Sequence, residues 1–130
     1  MAISALRDRR ILIVEDEYLV AMSLRDALES LGSVVVGPVP SVEKAIKTIE
    51  AGPEIDAAIV DVNLGGVMAY PVADLLLARN IPFVFTTGYE KNTLRAGYPE
   101  IGICHKPYPF PKMEEALASA MSTQKRATIA

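Results

Sequence analysis

Short, continuous apolar runs alternate along the chain with longer stretches whose apolar residues fall three and four apart. Arg10-Ile11-Leu12-Ile13-Val14 ends abruptly at Glu15-Asp16-Glu17, the form of a strand buried on both faces of a parallel sheet. From Glu17 the period lengthens: Val20, Leu24, Ala27, Leu28 and Leu31 share one helical face, and Gly32 stands where a capping glycine belongs. Residues 33–36 predict a second strand stopped by Gly37-Pro38, and Ser41 predicts the N-cap of a helix carrying Val42, Ala45, Ile46 and Ile49. Residues 56–61 predict a third strand and 63–66 a loop, after which Pro71 opens a helix reaching residues 79–80. A fourth strand is expected over 82–87, a weak helix over 90–96 and a short fifth strand over 101–106, stopped by Pro107. The last helix runs from Phe110 to about Thr123 with Met113, Ala116, Leu117 and Ala120 facing inward, and residues 124–130 fray. Five strands alternating with five helical segments predict an α/β fold, a doubly wound parallel sheet with helices on both faces. The 130 residues form one domain, its core spanning about residues 8–122.

Composition narrows the function classes. Half the residues are hydrophobic (51%), enough for a packed core. The net charge of −3 gives no electrostatic footprint for nucleic acid, and Arg7, Arg9 and Arg10 read as a solvated edge before the first strand. No apolar run approaches the ~20 residues of a membrane span, and the charged N-terminus does not resemble a signal peptide. Cys104 is the sole cysteine, which excludes a disulfide scaffold and suits a small core residue. A cytoplasmic protein is expected.

Ligands of open α/β sheets gather at the carboxyl ends of the strands. Those ends carry Glu15, Asp16 and Glu17 on the first strand, Asp61 on the third, Thr86 and Thr87 on the fourth, and Lys106 on the fifth. Carboxylates on neighbouring strands, ~4.8 Å apart, require a proton or cation between them. Hard carboxylate oxygens suit Mg²⁺ or Mn²⁺, and a lysine and a hydroxyl beside them complete a site for a phosphoryl group. No Ser/His/Asp or Cys/His set competes, so the group to be phosphorylated is a carboxylate. Glu17 is explained by the dipole of the helix it opens and is left outside the site. Thr86 alternates to the face opposite Thr87 and reads as strand chemistry. His105, the single histidine, reads as structural or exposed.

Glu15-Asp16, Asp61, Thr87 and Lys106-Pro107, in that order at successive strand ends, resemble the response-regulator receiver domains of two-component systems. The resemblance covers about residues 8–122. It implies the flavodoxin-like (βα)5 fold with strand order 2-1-3-4-5. It implies that Asp61 is the phosphoacceptor for a histidine kinase phosphohistidine, and that Glu15, Asp16, Asp61 and the Asn63 backbone carbonyl hold Mg²⁺ or Mn²⁺. Thr87 and Lys106 would bind phosphoryl oxygens, across a cis Lys106–Pro107 bond. The domain would catalyse only its own phosphorylation and dephosphorylation.

The chain departs from the family pattern at three places. Gly65, followed by Gly66, replaces the usual proline four residues after Asp61 and implies a more mobile loop; Ile103 replaces the usual aromatic; and Gly88-Tyr89 follows Thr87. The stretch PFVFTTGYE (residues 82–90) is similar to the Phe-Ala-Thr-Gly-Tyr signature of the FATGUY receivers, with Thr86 in the alanine position. That subgroup implies a stand-alone receiver working with a sensor kinase of the HWE or HisKA2 type, or with a phosphotransfer protein. Output would pass to a protein partner through the fourth strand and the helix after it, with Thr87, Gly88, Tyr89 and Ile103 as switch residues. The alternatives are a phosphorylation-independent interaction module, the receiver part of a longer regulator, and an aspartyl phosphohydrolase. The last normally has a second acid two residues after the nucleophile, where this chain has Asn63.

Overall fold

The structure, a computed structural model, describes residues 3–88 and 101–129, with side chains as far as Ser122. In chain order the elements are β1 (Arg10–Val14), α1 (Tyr18–Ser30), β2 (Val34–Val39), α2 (Val42–Glu50), β3 (Ala57–Asp61), β4 (Asn63–Leu64), β5 (Val67–Met68), α3 (Tyr70–Ala78), β6 (Phe83–Thr87), β7 (Gly102–His105) and α4 (Phe110–Ile129). Five strands pair in parallel in the order β2-β1-β3-β6-β7. This is the expected 2-1-3-4-5 order, since β4 and β5 form a separate hairpin. The predicted helix over 90–96 lies outside the described residues.

Side-chain alternation divides the core into two layers. Leu12, Val14, Ala58, Val60, Phe83 and Phe85 pack with buried residues of α2 and α3, such as Ala45, Ile49, Val72 and Leu76. Phe83 and Phe85 meet edge to face at 5.2 Å within that layer. On the opposite face Ile11, Ile13, Ala57, Ile59, Val84 and Cys104 pack with Leu24 and Leu28 of α1 and Met113 and Leu117 of α4. β3 and β6 are buried at every position, which is why they read as unbroken apolar runs.

Local capping follows the sequence. The Ser41 hydroxyl accepts the Lys44 N–H at 3.2 Å. At the end of α1 the Gly32 and Ser33 amides donate to the Glu29 and Leu28 carbonyls, closing a Schellman motif.

Four boundaries differ from expectation. β2 runs through Gly37-Pro38 to Val39, with a register shift against β1 between Leu12 and Val14. β2 is an edge strand, where proline is tolerated. A Cβ on Gly37 (φ +90°) would lie 2.9 Å from the Val39 nitrogen and 3.1 Å from the Ile13 oxygen, so only glycine fits the kink. Residues 63–68 are a tight hairpin rather than a loop, because Gly65 (φ +62°) and Gly66 (φ +95°) supply the two left-handed positions of a two-residue turn. The core begins earlier than residue 8: Leu6 is fully buried, its carbonyl accepting the Ser33 hydroxyl at 2.7 Å. Finally, α4 continues to Ile129, its last turns built from helix-forming residues without glycine or proline.

Candidate functional site

The parallel register brings the strand ends to one rim. Val14 lies opposite Val60, so Glu15 stands beside Asp61; Asp61 in turn lies opposite Thr86, and Thr87 opposite His105. The Lys106 amide donates to the Thr87 carbonyl at 2.8 Å, tying the lysine to the end of β6. The Lys106–Pro107 peptide is cis. The lysine then reaches across two strands, its Nζ 2.8 Å from Glu15 Oε1, 2.9 Å from Asp61 Oδ2 and 3.0 Å from Glu17 Oε1. The cation demanded by the clustered carboxylates is thus supplied in part by the chain itself.

Glu17 is a correction. It occupies the N-cap position of α1, yet its side chain makes no capping hydrogen bond and pairs with Lys106 instead. Its spacing from Glu15 carries the missed signal, for the Glu17 amide donates to Glu15 Oε2 at 3.1 Å and brings both acids to the same lysine.

Burial sets the charge states. Glu15 is only 3% exposed, and burial pushes its carboxyl up to about 7 from 4.5, against the opposing pull of Lys106 and the Glu17 amide. Burial also works to neutralise Lys106, but its bonds to Glu15, Asp61 and Glu17 outweigh this and hold the ammonium well above its usual range. The partners therefore differ: the lysine is charged under all ordinary conditions, whereas Glu15, which lies deep and shares that lysine with two other acids, is only partly compensated. Burial, with nearby Cys104 and Glu15, pushes Tyr108 up to about 12.

Glu15, Asp16 and Asp61 each offer a carboxylate oxygen within 4.8 Å of the others. This all-oxygen set fits a hard divalent cation. Asp16 is the exposed member, and a Cβ on Gly65 would lie 3.7 Å from its Oδ2, so the hairpin stands beside the acids. The Asn63 amide donates to Asp61 Oδ1 at 3.2 Å, and the Asn63 side chain accepts the Gly66 amide at 2.7 Å. A cavity of about 520 Å³ opens over Asp61, lined also by Asp16, Asn63, Gly65 and Lys106. Beside it, between α1 and the start of α4, lies an apolar groove of about 720 Å³ lined by Leu19, Val20, Pro107, Tyr108 and Phe110.

Of the residues expected to form a switch, Thr87 is buried at the last position of β6, Gly88 is exposed with no described atom within 4 Å of where its Cβ would stand, and Ile103 is 37% exposed on β7. Tyr89 lies outside the described residues. Cys104 is buried and His105 exposed, as expected. Among the described residues no helix is long and apolar enough to cross a membrane.

Fold and site together define a response regulator receiver domain: residues 11–118 match that family, and the chain belongs to it. Among individual proteins it is similar to the phyllosphere-induced regulator PhyR of Methylorubrum extorquens, at 30% identity over 120 residues. That match takes in 90% of this chain but only 45% of PhyR, so the chain spans under half the length of that relative. It is also similar to SdrG from Sphingomonas melonis Fr1, whose solution structure is 41% identical, with a TM-score of 0.73 over 95% of this chain and 98% of that one. The BeF3-activated conformation of SdrG from Pseudomonas melonis Fr1 is 43% identical, with a TM-score of 0.74 over 88% of this chain and 98% of that one.

Proposed function

We propose that this receiver accepts a phosphoryl group from a histidine kinase phosphohistidine onto Asp61 and signals by protein–protein contact. The observation that carries the reading is the placement of Asp61: a buried carboxylate, hydrogen-bonded to Lys106 and open to a cavity rimmed by Asp16 and Glu17. An Asp61 carboxylate oxygen attacks phosphorus, the bond from phosphorus to the histidine nitrogen breaks, and its electrons return to the imidazole. Lys106 moves from the carboxylate to the transferred oxygens, and the Thr87 hydroxyl donates to another of them, spreading the charge that develops. Glu15, Asp16, Asp61 and the Asn63 carbonyl would hold Mg²⁺ or Mn²⁺, which when bound would neutralise phosphoryl charge. The protein catalyses only its own phosphorylation and dephosphorylation.

The apolar groove supports the choice of donor. It opens beside Lys106 and presents Leu19, 80% exposed, so a kinase helix seated there would bring its phosphohistidine to the cavity. The Thr87-Gly88-Tyr89 run and the aliphatic Ile103 support the FATGUY subgroup, a kinase of the HWE or HisKA2 type, and a stand-alone cytoplasmic role. Output passes to a protein partner through β6 and the chain that follows it. The test is incubation with Mg²⁺ and acetyl phosphate followed by intact-protein mass. The expected result is one phosphoryl adduct on wild type and none on Asp61→Asn; a wild type without adduct would leave a phosphorylation-independent interaction module as the better reading.

A further inference from the structure

A row of side chains crosses the rim on the α1/α4 face. Asp61 lies opposite Thr86 and Thr86 opposite Cys104 in parallel register, and directly opposed residues of parallel strands, ~4.8 Å apart, present side chains to the same face. The core agrees: Ile59, Val84 and Cys104, on the same three strands, belong to the layer under α1 and α4, with Asp61 two residues beyond Ile59 and Thr86 two beyond Val84.

Thr86 is 1% exposed, and its Oγ1 is buried with no hydrogen-bond partner among the described residues. A buried hydroxyl without a partner is destabilising and is seldom kept without a use. A valine would fill the same volume without that cost. Of its two neighbours in the row, the Cys104 thiol is a weak donor and acceptor; Asp61 is the strong acceptor. In the unmodified protein, however, Asp61 Oδ2 takes Lys106 and Oδ1 takes the Asn63 amide.

We propose that Thr86 is a positioning residue for the leaving carboxylate, its hydroxyl donating to Asp61 once that residue is phosphorylated. The inference rests on Asp61 being the phosphoacceptor. Phosphorylation makes one Asp61 oxygen the bridge to phosphorus and draws Lys106 toward the phosphoryl oxygens, so the aspartyl group beside Thr86 loses the ammonium as its donor. In hydrolysis, water attacks phosphorus, the bond from phosphorus to the Asp61 oxygen breaks, its electrons return to the carboxylate and inorganic phosphate leaves. Negative charge grows on Asp61 along this path, so a hydrogen bond from Thr86 is stronger in the transition state than in the acyl phosphate and shortens the phosphoryl lifetime.

The test compares wild type, Thr86→Val and Thr86→Ser, each phosphorylated with acetyl phosphate, stripped of it by desalting, and followed by intact mass as the adduct decays in Mg²⁺. Thr86→Val should lengthen the lifetime about tenfold, the effect of one hydrogen bond. Thr86→Ser should keep the wild-type lifetime although it loses a buried methyl. Unmodified Thr86→Val should be at least as stable to urea as wild type. An unchanged lifetime in Thr86→Val, or equal changes in both variants, overturns the inference. So does a clear loss of stability in unmodified Thr86→Val, which would mean that the hydroxyl already has a partner, such as a buried water. Absence of any adduct on wild type is a different failure: it overturns the phosphoacceptor reading, and this inference with it.

Discussion

Replacing Glu15 with glutamine isolates the charge that the fold compensates least. The carboxyl is 3% exposed, lies 2.8 Å from Lys106 Nζ and accepts the Glu17 amide, yet burial raises it from 4.5 to about 7. Between those values the folded protein binds a proton that the unfolded chain releases. Stability from this group is therefore greatest below pH 4.5 and declines as pH rises toward 7 and above. At about 1.4 kcal/mol per pH unit, that gap amounts to about 3 kcal/mol. Glutamine keeps the shape and does not titrate. The stability of Glu15→Gln relative to wild type should thus rise by about 3 kcal/mol between pH 4.5 and pH 8.5. Urea unfolding of both proteins in EDTA, at four pH values across that range, measures the difference directly, and titrating groups remote from Glu15 cancel in it. Parallel stability curves would refute the reasoning. A difference that moves the opposite way would mean that the ion pair with Lys106 outweighs burial.

Three further outcomes follow from the same geometry. Lys106→Met removes the ammonium shared by three acids and should cost about 3 kcal/mol at pH 8, less at pH 5 where Glu15 can take a proton; urea midpoints at the two pH values check this. Mg²⁺ should raise the melting temperature of wild type more at pH 8 than at pH 6, because ion and proton compete for Glu15, and Asp16→Asn should weaken that response, as a thermal scan against Mg²⁺ concentration will show. Leu6→Ala should destabilise by about 3 kcal/mol, since Leu6 is fully buried in the core layer that holds Leu24, Leu28, Met113 and Leu117; an effect within error in urea unfolding would place residues 3–9 outside the folded unit.

The opening acids illustrate how far local reading carries and where it stops. Glu15, Asp16, Asp61 and Lys106 were visible because each follows an apolar run that must be a strand, and strands of a parallel sheet end together. Glu17 was misassigned because a glutamate at a helix start has a sufficient local explanation, and only the path of Lys106 across the sheet shows that it does something else. The hairpin at residues 63–68 hid behind a similar ambiguity: Gly65-Gly66 suits any turn, and the two-residue strands flanking it carry too little period to be read. Leu6 sits between a short uncharged stretch and the charged run from Arg7 to Arg10, with no strand or helix period to reveal that it is buried.

Determined by the sequence alone were the periodicities, and with them the five strands of the parallel sheet in their chain order and the identity of the charged strand ends, because backbone geometry imposes its period on whatever apolar residues must be buried. The tertiary structure alone decided which of those charges compensate one another. Register set Glu15 beside Asp61 and Thr86 on its other side, and the reach of one lysine selected its three acids. These are distances between residues far apart in the chain, on which no local pattern bears. The two threonines of β6 show the division most clearly: alternation places them on opposite faces, but only the packed sheet reveals that the hydroxyl beside Asp61 is the one buried without a partner.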